Sequence, residues 1–147
     1  MKIEPLKLKV NLSYAIQVAF KAHEGQVDKA LLPYILHPLR IMEKMDTEQL
    51  KIIAVLHDVV EDTNLSLLHL KSLGFDKEIL EALDSLTRRE DESYPEFIQR
   101  VKANPLAIKV KIEDIKDNLD VTRLDHLTSK DLSRIKRYHK ALKELGL

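Results

Sequence analysis

Three features of this sequence predict an all-α fold. Only three glycines and five prolines interrupt its 147 residues, so long segments are free to form helices. The β-branched residues mostly follow the period of a helix instead of the alternation of a strand. Residues that cap helices, mainly Asn, Asp, Ser and Thr, stand just before most of these periodic segments. We therefore expect about seven or eight helices joined by short loops.

The starts of the helices can be placed from capping residues and from proline. Proline is favoured at the first position of a helix, so Pro38 indicates that His37 begins a short helix. Asp46 is followed three residues later by Gln49, the spacing of a capping box, and begins a helix that runs into His57. In chain order, the residues predicted to begin the helices are Asn11 or Ser13, His37, Asp46, Asn64 or Ser66, Asp76, Tyr94, Asn104 and Thr128.

The composition indicates a globular domain without a bias toward anionic partners. Hydrophobic residues make up 44% of the chain and charged residues 33%, which is typical of neither disordered nor membrane-spanning chains. Lys and Arg together number 24, as do Asp and Glu, so no net charge attracts nucleic acid or a membrane surface. We expect a single domain over residues 1–147, with neither nucleic acid nor a membrane as a partner.

The absence of cysteine limits the chemistry that is available to the chain. It rules out disulfides, a thiolate nucleophile and cysteine-ligated zinc, so any metal must be held by nitrogen and oxygen. Residues 1–5 lack the apolar core of a signal peptide, and no apolar run approaches the ~20 residues of a membrane span. We therefore expect a cytoplasmic protein.

One apolar segment ends in a group of polar side chains. Residues 50–56 are typical of a buried helix, and four polar residues follow them: His57, Asp58, Glu61 and Asp62. If the helix continues, a spacing of four residues stacks these side chains in two pairs. Adjacent buried acids need a cation, and a metal ion is the simplest one. The alternative is a core histidine followed by an ordinary solvated helix end, because a two-residue match is common by chance.

Further candidate ligands lie on other predicted helices. His37 begins one helix, and Asp114 lies with Asn118 on a mostly internal helix, where polar groups need partners. The complete candidate set is His37, His57, Asp58 and Asp114. Two imidazoles and two carboxylates suit Mn²⁺, Fe²⁺ or Zn²⁺ and leave positions open for water and substrate. We interpret the remaining histidines as surface, packing or helix-dipole residues: His23, His69, His126 and His139.

Four segments of the chain carry motifs in a fixed order. They are H-x-G-Q at 23–26, P-Y-I-x-H-P at 33–38, L-H-D-V-x-E-D-T at 56–63 and K-x-x-D-x-x-x-N at 111–118. The chain thereby resembles the HD superfamily of metal-dependent phosphohydrolases. Within it, the chain is most similar to the hydrolase domain of RelA/SpoT-type alarmone enzymes and their small stand-alone relatives.

This resemblance implies an all-α HD-domain fold around one catalytic divalent ion, with Mn²⁺ as the first choice and Fe²⁺ or Zn²⁺ as alternatives. It assigns the ion to His37, His57, Asp58 and Asp114. It also implies that Glu61 and Asp62 position or deprotonate the attacking water, which suits acids one turn beyond the ligands. Asn118 and Lys29 would contact the substrate. We expect metal-assisted hydrolysis of a phosphate ester or anhydride in a nucleotide or another small phosphorylated metabolite.

Two departures from the family pattern bear on the substrate. Asp28 stands where the resemblance would place an arginine stacked on guanine, and Asp120 stands at a second cationic position of the family. Because negative charge opposes phosphate binding, we expect (p)ppGpp to be hydrolysed weakly or not at all. Cations that could compensate are Arg40, Arg88, Arg89 and Arg123. The length leaves no room for a synthetase domain, so we expect hydrolysis without synthesis.

Three functions remain open on the sequence alone. The first is a nucleotide phosphohydrolase, with a stand-alone (p)ppGpp 3′-pyrophosphohydrolase as one form of it. The second is a phosphohydrolase for another small metabolite. The third is a non-catalytic HD-fold domain that binds a metal or a ligand. Glu61 and Asp62 argue against the third function, because a pure binding site has little use for two more acids beside the metal. Nothing in the sequence indicates an oligomeric state.

Overall fold

Nine α-helices make up the part of the chain that the computed structural model describes, residues 10–147. Eight of them have six residues or more and one has four, so the predicted all-α fold is confirmed. The segment 1–5, for which we predict no signal peptide, lies outside the described residues. The helices are α1 (Leu12–Ala22), α2 (Leu36–Glu43), α3 (Glu48–Leu56), α4 (Val59–Asp62), α5 (Leu67–Ser72), α6 (Lys77–Ser85), α7 (Tyr94–Lys102), α8 (Pro105–Leu119) and α9 (Ser129–Glu144).

Most of the predicted helix starts are confirmed, and two are displaced by one or two residues. Helix α3 is capped by Thr47 instead of Asp46, because the Thr47 side chain accepts the backbone N–H of Leu50. Gln49 is turned toward α6, where its amide donates to Glu78. Helix α2 begins at Leu36, which makes Pro38 its third residue. Proline is tolerated there because the first N–H groups of a helix have no partner within the helix.

The chain turns at His57 and Asp58, so α3 and α4 are separate helices. The carbonyl of Ala54 accepts both the backbone N–H of His57, at 3.4 Å, and a ring nitrogen of His57, at 2.6 Å. Asp58 has φ −101° and ψ −1°, outside regular helical geometry. The continuous helix that would stack the polar side chains in pairs is therefore not formed. The turn instead directs His57 and Asp58 to one place at the end of a buried helix.

Helix α3 is the centre of the hydrophobic core. Its residues 52–56 are each at most 4% exposed, and it packs against α1, α2, α6 and α8. Burial of a large aliphatic side chain such as Ile53 or Leu56 contributes roughly 1.5–3 kcal/mol. Because so many neighbours surround this helix, its carboxyl end is held in a defined position, which a metal site requires.

Helix α8 packs against α3 and brings Asp114 to the carboxyl end of that helix. Ala107, Val110, Asp114 and Ile115 are buried on it, so Asp114 lies on the inner face as predicted. Asn104 caps the helix by accepting two backbone N–H groups. Among residues 10–147, no helix combines the length and the apolar character that crossing a membrane requires.

The loop between α1 and α2 is a narrow hairpin-like segment. Val27 and Pro33 form an isolated antiparallel bridge across it. Within this loop, the Asp28 carboxylate accepts the backbone N–H groups of Ala30, at 2.8 Å, and Leu32, at 3.0 Å. One oxygen of Asp28 thus stabilises its own loop, as short polar side chains often do in turns.

Candidate metal centre

Four side chains from three parts of the fold converge on one buried point. His37 comes from α2, His57 and Asp58 from the turn after α3, and Asp114 from α8. One potential ligand atom of each lies within 4.8 Å of those of the other three. Their side chains are only 2–13% exposed. The structure therefore brings together all four residues that the sequence suggests as metal ligands.

Both imidazoles direct the same nitrogen toward this point. Nδ1 of His37 lies 2.6 Å from a carboxylate oxygen of Asp117, and Nδ1 of His57 lies 2.6 Å from the carbonyl oxygen of Ala54. Because these two partners are acceptors, Nδ1 carries the proton in each ring. The lone pair of each Nε2 then faces the centre, an orientation usual for metal-binding histidines.

These Nε2 atoms face carboxylate oxygens instead of hydrogen-bond donors. Asp114 Oδ1 lies 2.9 Å from Nε2 of His37 and 3.4 Å from Nε2 of His57. Asp58 Oδ2 lies 3.6 Å and 3.1 Å from the same two nitrogens. Nε2 of His57 is fully buried and has no hydrogen-bond partner among residues 10–147. Acceptors so close together need a cation between them, so this group could hold a divalent metal ion.

The electrostatics of the four residues favour positive charge. Burial alone would lower the pKa of His57, but the carboxylates of Asp58 and Asp114 outweigh it and raise that pKa. Burial would raise the pKa of Asp58, but His57 outweighs it and lowers the pKa to about 2. The carboxylates are therefore ionised at neutral pH, and the site attracts a cation.

Lys111 neutralises the side of Asp114 that faces away from the centre. Its ammonium lies 2.8 Å from Oδ2 of Asp114, is 12% exposed and sits 5.0 Å from the centre of the Phe97 ring. Oδ1 of Asp114 is left to face the two imidazoles. This role of Lys111 was not predicted from the sequence, although the three-residue spacing on one helix is a recognisable signal.

Asp117 is a second residue of the site that the sequence analysis missed. It holds His37 through Nδ1 and is itself held by Arg40 through two hydrogen bonds of 2.8 and 2.9 Å. Burial would raise the pKa of Asp117, but the hydrogen bonds from His37 and Arg40 outweigh it and lower the pKa. A carboxylate behind a ligating histidine orients the ring and increases its basicity. Its position one turn after Asp114 on α8 is the signal that could have indicated it.

We expect Asp117→Asn to weaken metal binding without abolishing it. The amide can keep one contact to Arg40 but no longer supplies a charged acceptor to Nδ1 of His37, so affinity should fall about 10–100-fold. Isothermal titration of Mn²⁺ into metal-free protein measures this change. Glu113→Gln is the matched control, because Glu113 lies on the same helix but pairs with Lys116, at 3.3 Å. Equal affinities in the two variants would contradict the role of Asp117.

Tyr34 connects one of the four candidate ligands to an acid of α4. Its hydroxyl donates to Oδ2 of Asp58 and lies 3.5 Å from Oδ2 of Asp62. Burial and the nearby Asp58 raise the pKa of Tyr34, so the hydroxyl keeps its proton. This role of Tyr34 was not predicted from the sequence, although Tyr34 lies in the same motif as His37.

His23 differs from its interpretation as a helix-dipole residue. It does end α1, but its side chain is only 2% exposed, and its ring packs 5.0 Å from the ring of Tyr34. Nδ1 of His23 lies 2.9 Å from the side-chain oxygen of Gln26, whose amide donates to the carbonyl oxygen of Asp62. His23 therefore helps to hold the end of α4 through Gln26, and the contact between Gln26 and Asp62 is one that local sequence does not reveal.

Glu61 and Asp62 lie beside the four-residue group on α4, where both keep part of the side chain accessible to solvent. Oε1 of Glu61 accepts the backbone N–H of Arg88 at 3.3 Å. Partial burial and the charge of Asp58 raise the pKa of both acids. A carboxylate with a raised pKa is a better proton acceptor, as general base catalysis requires.

A cavity of about 370 Å³ opens next to His37. Lys29 and Asn118, the two candidate substrate contacts, both line it, and the Asn118 amide donates to Oδ1 of Asp114 at 3.1 Å. Its cationic side chains are Lys29, Arg40, Arg123 and Arg134. Of the cations proposed to compensate for Asp28 and Asp120, Arg40 and Arg123 thus line the cavity. The other two lie outside its lining, with Arg88 near Glu61 and Arg89 paired with Asp84 at 3.6 Å.

The fold and the site define an all-α domain with a buried group of nitrogen and oxygen atoms that could hold a divalent metal. The chain is 30% identical over 118 residues to a guanosine-3′,5′-bis(diphosphate) 3′-pyrophosphohydrolase of Aquifex aeolicus, with 71% of this chain and 17% of the relative covered. It is 36% identical over 81 residues to the protein of the same name from Borreliella burgdorferi, with 52% and 12% covered.

A solved structure is similar over nearly the whole chain. It is described as a metazoan ortholog of SpoT that hydrolyzes ppGpp, and it matches 99% of this chain and 89% of that chain with a TM-score of 0.75 at 21% identity. No protein-family model matches the chain. The chain spans less than a fifth of the two curated relatives, 17% and 12%. The predicted resemblance to the hydrolase domain of RelA/SpoT-type enzymes is confirmed, as is the HD-type fold.

Proposed function

We propose that this chain is a metal-dependent phosphohydrolase that cleaves a phosphate ester or anhydride of a nucleotide. One divalent ion, with Mn²⁺ ahead of Fe²⁺ and Zn²⁺, would be held by His37, His57, Asp58 and Asp114. The observation that carries the proposal is the buried Nε2 of His57, which faces carboxylates and has no hydrogen-bond partner in the described part of the chain. Two imidazoles and two carboxylates suit all three ions.

The residues of the chain divide the chemistry between them. A bound divalent ion supplies Lewis acidity, which acidifies water and polarises a phosphoryl oxygen. Glu61 accepts the proton of the attacking water, and Asp62 orients that water from the adjacent position on α4. Tyr34 links the candidate metal ligands to the acids of α4, because its hydroxyl donates to Asp58 and lies next to Asp62. Exposure of the two acids on α4 leaves them accessible to water and substrate.

The cavity beside the metal centre suits a nucleotide with several phosphate groups. Its volume of about 370 Å³ is in the range of small-molecule sites. Its three arginines are already paired with acids of the chain, since Arg40 binds Asp117, Arg123 binds Asp120 at 3.2 Å, and Arg134 binds Asp131. Lys29 is 61% exposed, and its nearest acid, Asp131, is 4.0 Å away. Lys29 is therefore the cation most available for phosphate.

Guanosine 3′,5′-bis(diphosphate) is the second, more specific candidate substrate. It is named as the substrate of relatives from two bacteria. The two acids that argue against it are partly neutralised, because Asp28 accepts backbone N–H groups and Asp120 pairs with Arg123. Their negative charge therefore opposes phosphate less than the sequence alone suggests.

A Mn²⁺-supplemented screen over nucleotides, (p)ppGpp and small phosphoesters tests the proposed function. Phosphate or pyrophosphate release from a nucleotide, abolished by a chelator, would support it. Release only from non-nucleotide phosphoesters would favour a small metabolite as substrate. Metal and nucleotide binding without any release would favour the non-catalytic alternative and contradict the proposal.

The cytoplasmic location of the protein stays a prediction.

We expect Lys29→Gln to impair substrate binding more than turnover. Loss of one charge-assisted hydrogen bond to phosphate, about 1.5 kcal/mol, should raise KM about tenfold with kcat nearly unchanged. Steady-state kinetics on the best nucleotide of the screen measures both constants. Lys77→Gln is the control, because Lys77 is an 88% exposed lysine on α6. A fall in kcat with an unchanged KM would contradict a binding role for Lys29.

A further inference from the structure

Arg100 holds the loop that lies beside Glu61. Its guanidinium binds the carboxylate of Glu92 through Nε, at 2.5 Å, and through Nη2, at 2.8 Å. It also donates to the carbonyl oxygens of Asp84, at 3.1 Å, and Thr87, at 2.8 Å. The Glu92 side chain is 9% exposed, and its hydrogen bond to Arg100 lowers its pKa to about 2. Four hydrogen bonds from one arginine thus fix both ends of the loop 87–92.

One of these hydrogen bonds acts on a single peptide group. The carbonyl oxygen of Thr87 and the N–H of Arg88 belong to the same peptide, which is planar. Arg100 donates to the oxygen of this peptide, and the N–H of the same peptide donates to Oε1 of Glu61 at 3.3 Å. Holding the oxygen therefore sets the direction in which the N–H points. A positive charge at the oxygen also strengthens the N–H as a donor, because hydrogen bonds in series polarise one another.

The contact matters because little else holds the Glu61 carboxylate. Within residues 10–147, no other protein group donates a hydrogen bond to it, and the side chain is exposed. Partial burial and the charges of Asp58 and Asp62 raise the pKa of Glu61, whereas the charge of Lys111 and the N–H of Arg88 act in the opposite direction. Without this N–H, the carboxylate would lose its hydrogen-bond anchor beside the metal centre.

We propose that Arg100 is a positioning residue for Glu61 and acts through the peptide between Thr87 and Arg88. The inference rests on the proposed function, in which Glu61 accepts the proton of water. Lysine cannot replace this arginine, since one ammonium group cannot reach four acceptors in the arrangement that the planar guanidinium fork provides. Arg100 does not touch the reacting atoms and reaches Glu61 only through two hydrogen bonds in series. If its role were merely structural, the effect of replacing it would not depend on whether Glu61 is present.

A double-mutant cycle between Arg100 and Glu61 tests the inference. Arg100→Gln, Glu61→Gln and the double variant are compared in Mn²⁺ with guanosine 3′,5′-bis(diphosphate), or with p-nitrophenyl phosphate if turnover of the nucleotide is too slow. Arg100→Gln alone should lower kcat about 10–100-fold, because a small misplacement of a catalytic group has an effect of this size. KM and Mn²⁺ affinity should stay unchanged. In the Glu61→Gln background, the same substitution should change kcat by less than about twofold.

Arg89→Gln is the matched control for the loop. Arg89 is 62% exposed and pairs with Asp84 at 3.6 Å, so its loss removes a cation nearby without disturbing the contacts of Arg100. Arg100→Lys should give a kcat between those of the wild type and Arg100→Gln. If thermal unfolding shows that Arg100→Gln does not fold, Glu92→Gln replaces it in the same cycle.

The possible outcomes separate this inference from the proposed function. Equal losses from Arg100→Gln in the two backgrounds would mean that Arg100 acts independently of Glu61 and would overturn the inference. A folded Arg100→Gln variant with wild-type kcat would overturn the inference as well. If Glu61→Gln still lowered kcat in that case, the proposed function would remain intact. Wild-type kcat in Glu61→Gln itself would refute the role of Glu61, and the inference would fall with it.

Discussion

Replacing Asp114 with alanine is expected to abolish binding of a divalent metal and to lower the free energy of unfolding by about 3–5 kcal/mol. The variant loses one of four ligands and at the same time leaves the ammonium of Lys111 buried without its carboxylate partner, which is now 2.8 Å away. Elemental analysis after purification in Mn²⁺ measures the first effect. Chemical denaturation of the metal-free protein measures the second.

Asp58→Ala provides the comparison that separates these two effects. It should also abolish metal binding, but no lysine of residues 10–147 pairs with Asp58, and its removal frees the hydroxyl of Tyr34 instead. The loss of stability in metal-free protein should therefore be smaller than for Asp114→Ala. Full metal occupancy, about one ion per chain, in both variants would contradict the assignment of the site.

Glu61→Gln is expected to bind Mn²⁺ as the wild type does and to lose most of its activity. Glutamine keeps the shape of the side chain and can still accept the N–H of Arg88, but it cannot take a proton from water. A general base contributes roughly 10²–10⁴-fold, so kcat should fall by this factor. Metal content and kcat measured on the same preparation test both parts of the prediction.

The adjacent acid serves as the internal comparison for this experiment. Asp62→Asn removes a charge from the same short helix, where Tyr34 approaches it at 3.5 Å. If Glu61 is the base, Asp62→Asn should lower kcat less than Glu61→Gln does. The opposite order would transfer the role of proton acceptor to Asp62.

Local sequence predicted the helices well because their starts depend on nearby residues. Asp76, Asn104 and Thr128 each cap a helix with the predicted side chain. Where the sequence left two candidates, Asn11 caps α1 and Ser66 caps α5. The cap of α3 was misplaced by one residue, since Asp46 and Thr47 are both good caps and spacing alone does not choose between them. The break at His57 was not predicted, because it depends on a side-chain hydrogen bond to Ala54.

The sequence by itself determined the all-α fold, the resemblance to the RelA/SpoT-type hydrolase domain and the four residues that converge on the candidate metal centre. These follow from periodicity, capping and motifs, all of which are recorded over a few neighbouring positions. Only the tertiary structure showed that Asp117 supports His37 across 80 residues and that Arg100 reaches the peptide beside Glu61. Such contacts join separate elements, and their geometry is decided by how the helices pack around α3. Asp28 and Asp120 stand at unfavourable positions in the sequence, yet the conformation of the chain around them gives each a partner within four residues, which only the structure shows.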